Sequence, residues 1–403
     1  MVSLLHMPTE VILLILSELS VSSQIWQLIS QDLLSCRQTC RQLCESATPL
    51  VFKTRHVIIE KTNVDNLIRI SECPNLAKHI QALQIHTLHL PTIKNIKRVI
   101  PSFTLDSNES ETAKGSLISA SNKNVLGSLD KDTCRKYYEK QQELMTCSDT
   151  WSRLHDAFLR LEACKEVAFN SKNPPRDSSP LEQSFGTLLQ RSRAKSSAST
   201  KFILHLIFGV LNAAANHKSQ IKSFEIHIGC AIHDVLYRIL TFAFGFLKPI
   251  TGLNRLHLVI EHDFEQDKLQ KFFDLFPGLT DLKLEMDSRE SVKISGGALS
   301  VLHVPNLQKL TLAMMNCIPV ELEDLIIRHQ KTLQDITLVC ITLPDDRSWR
   351  LIFQKIVENL KIKRFSMGKC LQDEDLEPSD ITKLIDSINS AKWISKLEAK
   401  EEA

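Results

Sequence analysis

The sequence predicts a mixed α/β fold in two parts, a small all-helical N-terminal unit and a longer, irregular solenoid whose strands run parallel. The first observation is the apolar run at residues 11–16, which is typical of a helix buried on more than one face. The second is a short strand-like pattern that recurs from residue 80 onward, with helical segments between its copies. Alternating strands and helices with short connections favour parallel strands. We expect the helical unit at residues 1–56 and the solenoid at residues 57–403.

Composition and charge exclude several classes of protein. The chain is 43% hydrophobic and 24% charged, as in ordinary soluble, core-forming proteins. Its formal net charge is only +2, so nucleic acid is not expected as a partner. Its 11 glycines in 403 residues leave few of the close backbone approaches that phosphate-binding enzymes need. The most apolar run, residues 202–215, is shorter than the roughly 20 residues that span a bilayer, so we expect no membrane association.

Cysteine usage and the N-terminus indicate a cytoplasmic or nuclear protein. The 11 cysteines are odd in number and not densely spaced, which is typical of reduced thiols. The first residues lack a basic segment, and Pro8 and Glu10 interrupt their apolar character, so we expect no signal peptide.

Two helices are predicted within the N-terminal unit. The first starts near Pro8 and Glu10, where a proline and an acidic residue favour a helix start. The second is predicted over residues 32–45, with Asp32 as a possible cap and Pro49 beyond its end. A unit of about fifty residues buries too little surface to cover every apolar face. One face should therefore be buried against the rest of the chain or a partner.

The recurring strand pattern has the form L-x-x-L-x-L. Its sharpest copies start at Leu253, Leu279, Leu307 and Leu333, and looser copies start at Ile80, Cys164, Ile221 and Ile362. From residue 221 onward the copies are about 26–32 residues apart, which is typical of leucine-rich repeats with one strand and one helix per unit. Helices are predicted between the copies, at residues 231–247, 264–276, 319–330 and 349–360.

Two polar segments interrupt the pattern, at about residues 104–132 and 171–200. We predict flexible insertions there, with a helix between them at residues 137–161. Ser179 precedes a proline and could be a phosphorylation site, and the basic stretch at residues 191–201 could be regulatory, with a solvated loop as the default interpretation.

The N-terminal residues resemble an F-box. The opening Met7-Pro8-Thr9-Glu10, the apolar helix that follows and the segment D-L-L-S-C-R-Q-T-C-R-Q-L at residues 32–43 match the three parts of that motif in order. The whole chain is similar to fungal F-box proteins with divergent leucine-rich repeats, through stretches at residues 47–52 and 67–80 and a helix that starts at Tyr137. The resemblance implies a three-helix F-box followed by an irregular leucine-rich-repeat-like solenoid.

The resemblance also implies a function. F-box proteins of this kind are non-catalytic substrate adaptors of cullin–RING (SCF-type) ubiquitin ligase complexes, in the ubiquitin-like conjugation pathway. The F-box docks on a Skp-type adaptor and through it a cullin, and the repeats bind a protein substrate, which the sequence does not identify. The positions that match the motif, and that would face or support the adaptor, are Pro8, Ile12, Leu13, Leu16, Leu33, Leu34, Cys40 and Leu43. The alternative is that some of them only hold the F-box helices together.

One departure from the motif motivates a second interpretation. The link at residues 20–31, which contains Trp26, is longer than usual between the first two F-box helices. The alternative function is a repeat-based protein-interaction scaffold that does not engage the ubiquitin machinery.

No catalytic, cofactor or metal site is expected. Cys36, Cys40 and Cys44 would extend over about 12 Å of a straight helix, too far for one ion, so small buried apolar side chains are favoured. His227 and His233, with Cys230 and Asp234 nearby, lack an activating motif. The pair Met314-Met315 follows a predicted strand and belongs either to an adaptable binding patch or, more simply, to packing beneath the next helix.

Overall fold

The structure is a computed structural model that describes residues 9–21, 26–87, 131–170, 197–216, 220–227, 248–260, 266–286, 299–300, 302–343, 348–368 and 370. The chain divides into two compact units. The first comprises residues 1–221 and 228–235, and the second comprises residues 222–227 and 236–403.

The first unit begins with three helices: α1 (Thr9–Val21), α2 (Trp26–Thr39) and α3 (Arg41–Phe52). The single helix predicted over residues 32–45 is wrong, because Cys40 has an extended backbone (φ −158°, ψ 167°) that separates α2 from α3. Pro49 lies inside α3 rather than beyond the helix end, because α3 starts afresh at Arg41. The long link predicted at residues 20–31 is also wrong, since α1 continues to Val21 and α2 starts at Trp26.

A three-stranded parallel arrangement follows the helices directly. Its strands are β1 (Thr54–Ile58), β2 (Ala82–His86) and β3 (Glu166–Asn170). The carbonyl of Lys53, between α3 and β1, accepts the N–H groups of Gln81 and Ala82 at 2.9 Å each. The N-terminal helices are therefore joined to this sheet without a linker.

Helices complete the first unit: α4 (Lys61–Glu72), α5 (Pro74–Ala77), α6 (Lys131–Thr146), α7 (Ser148–Arg160) and α8 (Ser197–Ala214). The helix predicted at residues 137–161 is divided into α6 and α7 at Cys147, whose backbone is extended (φ −74°, ψ 113°). Trp151 of α7 packs on Phe202 of α8 with ring centroids 4.1 Å apart. Most of each predicted insertion lies outside the described residues, but helices already begin at Lys131 and Ser197, earlier than the predicted ends at 132 and 200.

The second unit contains parallel strands paired in chain order: β4 (Ser223–His227), β5 (Arg255–Ile260), β6 (Asp281–Met286), β7 (Lys309–Ala313), β8 (Asp335–Val339) and β9 (Arg364–Gly368). Each overlaps a predicted copy of the strand pattern. The register aligns one buried apolar residue from every strand in a continuous row: Phe224, Leu256, Leu282, Leu310, Ile336 and Phe365. The predicted mixed α/β fold with parallel strands is confirmed.

Three described helices connect these strands: α9 (Gln266–Asp274), α10 (Pro319–Arg328) and α11 (Ser348–Asn359). They fall within or next to the predicted segments, and the helix predicted at residues 231–247 lies outside the described residues. In the part of the chain that the structure describes, we find no helix with both the length and the apolar character to cross a bilayer.

Candidate functional site

Helix α1 is apolar on both its faces, but only one face is buried. Ile12 and Leu16 are 1% and 3% exposed, and their spacing of four residues places them on one side of the helix. Val11, Leu13 and Ile15 are about two-fifths exposed, and Leu14 is 64% exposed. The helix therefore presents aliphatic side chains to solvent over most of its remaining circumference.

The buried side of α1 belongs to a small core shared by the three N-terminal helices. Its fully buried members are Ile12, Leu16, Leu33, Leu43 and Ala47, with Cys36, Cys40, Leu50 and Val51 packed against them. Of the predicted adaptor residues, the structure thus brings Ile12, Leu16, Leu33, Leu43 and Cys40 together in this core. These positions fit the supporting role that the sequence left open.

The other predicted residues lie apart from this core. Leu13 and Leu34 are exposed, at 38% and 39%, and Pro8 lies outside the described residues. Sequence reasoning missed Val11, Leu14 and Ile15, although the all-round apolar character of this helix was the signal that could have found them. We call Val11, Leu13, Leu14, Ile15 and Leu34 the N-terminal apolar surface. Exposed aliphatic side chains in such number are candidates for an interaction site.

Arg37 fixes α3 against α2. Its Nε donates a hydrogen bond to Oγ1 of Thr48 at 3.1 Å, and its guanidinium lies 5.0 Å from the centre of the Phe52 ring. Thr48 in turn donates to the carbonyl of Cys44 at 2.6 Å. Arg41, four residues after Arg37, is exposed and pairs only with Glu45 of its own helix among the described contacts. The first arginine of the motif therefore positions the helices, and the second lies on the surface.

The described cysteine and histidine residues do not come together as a metal site. Cys36 and Cys44 lie on different helices, on either side of the break at Cys40, so the expectation of three thiols along one straight helix is wrong. Every described cysteine is a free thiol. Among the described residues no group of three or more His, Cys, Asp or Glu side chains could hold a metal ion. His227 is buried on β4, and Cys230, His233 and Asp234 lie outside the described residues.

The two residues of the Met314-Met315 pair fit different interpretations, one the packing role and the other the binding patch. Met315 is buried, as expected for packing, whereas Met314 is 39% exposed. Ile318 and Val320, at the start of α10, are also exposed.

The face of β4–β9 opposite the buried apolar row carries charged side chains in register. One row runs Arg255, Asp281, Lys309, Asp335 and Arg364, one residue from each strand from β5 to β9. Its charges alternate in sign along the whole row. Asp281 pairs with both Arg255 and Lys309 at 3.2 Å, and Asp335 pairs with Arg364 at 3.0 Å.

His257 lies in the next row, between two carboxylates. Its Nδ1 is 3.2 Å from Glu225 of β4, and its Nε2 is 3.4 Å from Glu285 of β6. Lys283 also contacts Glu285, at 3.0 Å. Burial by itself lowers the pKa of His257, but hydrogen bonding to Glu225 and Glu285, with charge attraction from Glu225, outweighs burial and raises the pKa above its ordinary value. Hydrogen bonding to His257 lowers the pKa of Glu225 against the opposing effect of burial. His257 thus lies between carboxylates of two neighbouring strands that favour its protonated form.

His329, at the end of α10, is a buried histidine whose pKa is shifted in the opposite direction. Its Nε2 accepts the backbone N–H of Val304 at 3.0 Å, and its Nδ1 is 2.8 Å from the carbonyl of Leu325. The first contact requires an unprotonated Nε2, so the ring is neutral with its proton on Nδ1. Burial, above all, lowers the pKa of His329. The side chain ties the end of α10 to the segment before β7.

Comparison with known proteins identifies the N-terminal part of the chain. Residues 4–57 match the family model described as F-box-like. A search of curated proteins found no match to the chain. The three helices, their shared core and the N-terminal apolar surface all lie within the matched residues, so the geometry described above is that of an F-box-like domain.

Proposed function

We propose that this protein is a substrate-recognition adaptor of a cullin–RING ubiquitin ligase of the SCF type. The N-terminal apolar surface docks on a Skp-type adaptor, which connects the protein to a cullin, and the strand-bearing part of the chain holds a protein substrate. We interpret that part as a divergent leucine-rich-repeat solenoid, on the basis of the repeat pattern and the parallel register of β4–β9. The F-box-like match to residues 4–57 supports the assignment.

The observation that carries the proposal is the N-terminal apolar surface itself. The buried core of the three helices consists of Ile12, Leu16, Leu33, Leu43 and Ala47, and the residues of the N-terminal apolar surface are not among its buried members. Complete burial of an exposed aliphatic side chain of this size contributes about 1.5–3 kcal/mol, and burial of the area still exposed on these five contributes a part of that for each. Such side chains can form the apolar centre of a partner interface.

The mechanism is one of proximity. A substrate held on the strands is kept close to the ubiquitin-conjugating enzyme on the same assembly, which raises the effective concentration of its lysines. Ubiquitin transfer takes place on other subunits, so no residue of this chain needs to be catalytic.

The alternative, a scaffold that does not engage the ubiquitin machinery, rested on the long link between the first two helices. The described helices leave only residues 22–25 between α1 and α2, so that link gives the scaffold little support.

The test is a pull-down of the full-length protein with a Skp-type adaptor. The variant Leu14→Asp/Ile15→Asp changes two exposed residues of the N-terminal apolar surface and leaves the helix core intact. We expect the wild type to bind and the variant to lose binding, because two carboxylates would be buried unpaired in the interface.

The matched control is Val320→Asp, because Val320 is 63% exposed and Leu14 is 64% exposed. It should bind the adaptor as the wild type does. A folded wild-type protein that does not bind the adaptor would contradict the proposed function and leave the scaffold as the better interpretation.

A further inference from the structure

The basic side chains on the charged face of β5–β9 extend beyond the acidic ones. The side chains of Arg255 and Arg364 are 58% and 66% exposed, and that of Lys309 is 39% exposed. Those of Asp281 and Asp335, which lie between them in the same row, are only 18% and 25% exposed. We propose that Arg255, Lys309 and Arg364, which we call the basic row, bind an acidic segment of a protein substrate. This inference rests on the proposed function and adds the chemical class of the substrate.

The recessed carboxylates orient the cations. Asp281 holds both the Arg255 guanidinium and the Lys309 ammonium at 3.2 Å, and Asp335 holds the Arg364 guanidinium at 3.0 Å. Long basic side chains lose conformational freedom when they bind a ligand. The ion pairs with Asp281 and Asp335 already restrict these side chains, so less conformational freedom is lost on binding. Their solvent-facing N–H groups remain available to a carboxylate ligand.

A lysine on β6 lies outside its acidic partner in the same way. The side chain of Lys283 is 38% exposed, and that of Glu285 is 11% exposed. Glu225 on β4 is itself 39% exposed, so the arrangement is confined to β5–β9. Along the row from Arg255 to Arg364, positive charge lies outermost and negative charge lies beneath it. A partner that approaches this row meets cations first.

The spacing of the basic row defines the ligand further. Its members lie on alternate strands, β5, β7 and β9, and neighbouring strands are about 4.8 Å apart, so the cations recur roughly every 10 Å across the face. A polyproline-II segment repeats every three residues, or about 9.3 Å. An extended chain with an acidic residue at every third position matches this spacing when it crosses the strands.

Nucleic acid is the competing ligand of the same charge. Its phosphates form a continuous line of negative charge. The carboxylates of Asp281 and Asp335 interrupt the basic row at every second strand, and like charges placed opposite each other disfavour such a ligand. The interruption favours an acidic peptide with spaced charges.

The test measures binding of a fluorescent peptide, Glu-Pro-Pro repeated five times, to the full-length protein by anisotropy. A peptide of the same composition with all its glutamates at one end tests the spacing. We expect the periodic peptide to bind more tightly, and its binding to weaken as salt rises. Arg255→Gln/Lys309→Gln/Arg364→Gln should weaken binding about tenfold, since each exposed ion pair contributes a few-fold to affinity. The single variants Arg255→Gln and Arg364→Gln, at the two most exposed positions, should each show part of that loss.

The matched control, Lys165→Gln/Lys271→Gln/Lys331→Gln, removes the same charge from exposed lysines elsewhere and should bind as the wild type does. Equal losses in the two triple variants, or tighter binding of single-stranded DNA than of the periodic peptide, would overturn the inference. The adaptor pull-down on the same samples separates the two proposals. Loss of adaptor binding with peptide binding intact contradicts only the proposed function, and a wild type that binds the adaptor but not the peptide contradicts only the inference.

Discussion

At the scale of single residues, the surroundings of a side chain decide its protonation more than its type does. His257 and His329 are the same residue in the same unit, yet the pKa of the first is raised and that of the second is lowered. His257 is placed between Glu225 and Glu285, whereas His329 accepts a backbone N–H inside the protein. The sequence shows two histidines and does not distinguish them, because the partners come from other strands and turns.

We predict that His329→Gln costs stability at neutral pH and costs less as the pH falls. At pH 7.5 the variant loses the bond to Val304, for about 1–3 kcal/mol. The lowered pKa means that the unfolded chain binds a proton more readily than the folded one, so the contribution of His329 is present above the unfolded value of about 6.5 and is lost as the pH falls. Urea unfolding at pH 7.5, 6.5 and 5.5 measures the difference between wild type and variant.

His257→Gln is the control for the sign of this effect. Because the pKa of His257 is raised, its contribution is present below the unfolded value of about 6.5 and is lost as the pH rises through the folded value. The two variants should therefore show opposite trends across the same buffers. If the loss of unfolding free energy in His329→Gln does not change with pH, His329 is not a neutral ring that accepts the Val304 N–H.

The N-terminal residues show where residue-level prediction ends. The motif correctly places helices in this unit but does not show the break at Cys40, and every position of residues 11–16 is apolar. No periodicity distinguishes the buried Ile12 and Leu16 from the exposed Leu13 and Leu14. Only the packing of α2 and α3 against α1 makes that distinction.

At the scale of elements, the strands were predictable and the helix breaks were not. The copies of L-x-x-L-x-L located β2 to β9 because buried strand positions alternate strictly. The strand β1 was not predicted, because Arg55 occupies the position at which β2 and β3 have Leu83 and Val167. The breaks at Cys40 and Cys147 carry neither glycine nor proline, so nothing local indicated them.

The turn before β6 lies close to the turn before β5. Gly278 lies between α9 and β6, and a Cβ atom there would clash with the backbone carbonyl of Thr251, in the turn before β5. We predict that Gly278→Ala destabilises the protein by about 1–3 kcal/mol, because backbone atoms must shift to make room. Thermal unfolding of the full-length protein measures this loss.

The control for Gly278→Ala is Gly368→Ala. Gly368 lies on β9, and a Cβ atom there would have no neighbour within 4 Å. The melting temperature of that variant should stay close to the wild-type value. If both alanine variants unfold at the same temperature, the close approach of the two turns does not contribute to stability.

At the scale of the whole molecule, an F-box-like region at residues 4–57 precedes a strand-bearing remainder. The family resemblance predicted the F-box-like region. The sequence could not show that β1 follows α3 directly, or that the Lys53 carbonyl joins the helices to the start of β2, because these contacts link segments about thirty residues apart.

We predict that a Skp-type adaptor slows hydrogen exchange in α1 and α2 and leaves β6 and β7 unchanged. The amides of β6 and β7 are already held by paired strands on both sides and should exchange slowly in the free protein. Exchange measured by mass spectrometry, with and without the adaptor, reports both regions at once. Slower exchange in the strands alone would contradict adaptor binding at α1 and α2.

The charges of the row from Arg255 to Arg364 alternate in sign from one strand to the next, so odd and even strands are not interchangeable. Each strand pairs with its neighbours in one register, so removing residues 281–308 would place Arg255 beside Lys309, two cations in contact. Removing residues 281–334 would instead place Arg255 beside Asp335 and restore the alternation. Loss or gain of two successive strands would therefore keep neighbouring charges opposite in sign, whereas loss or gain of one strand would place like charges side by side.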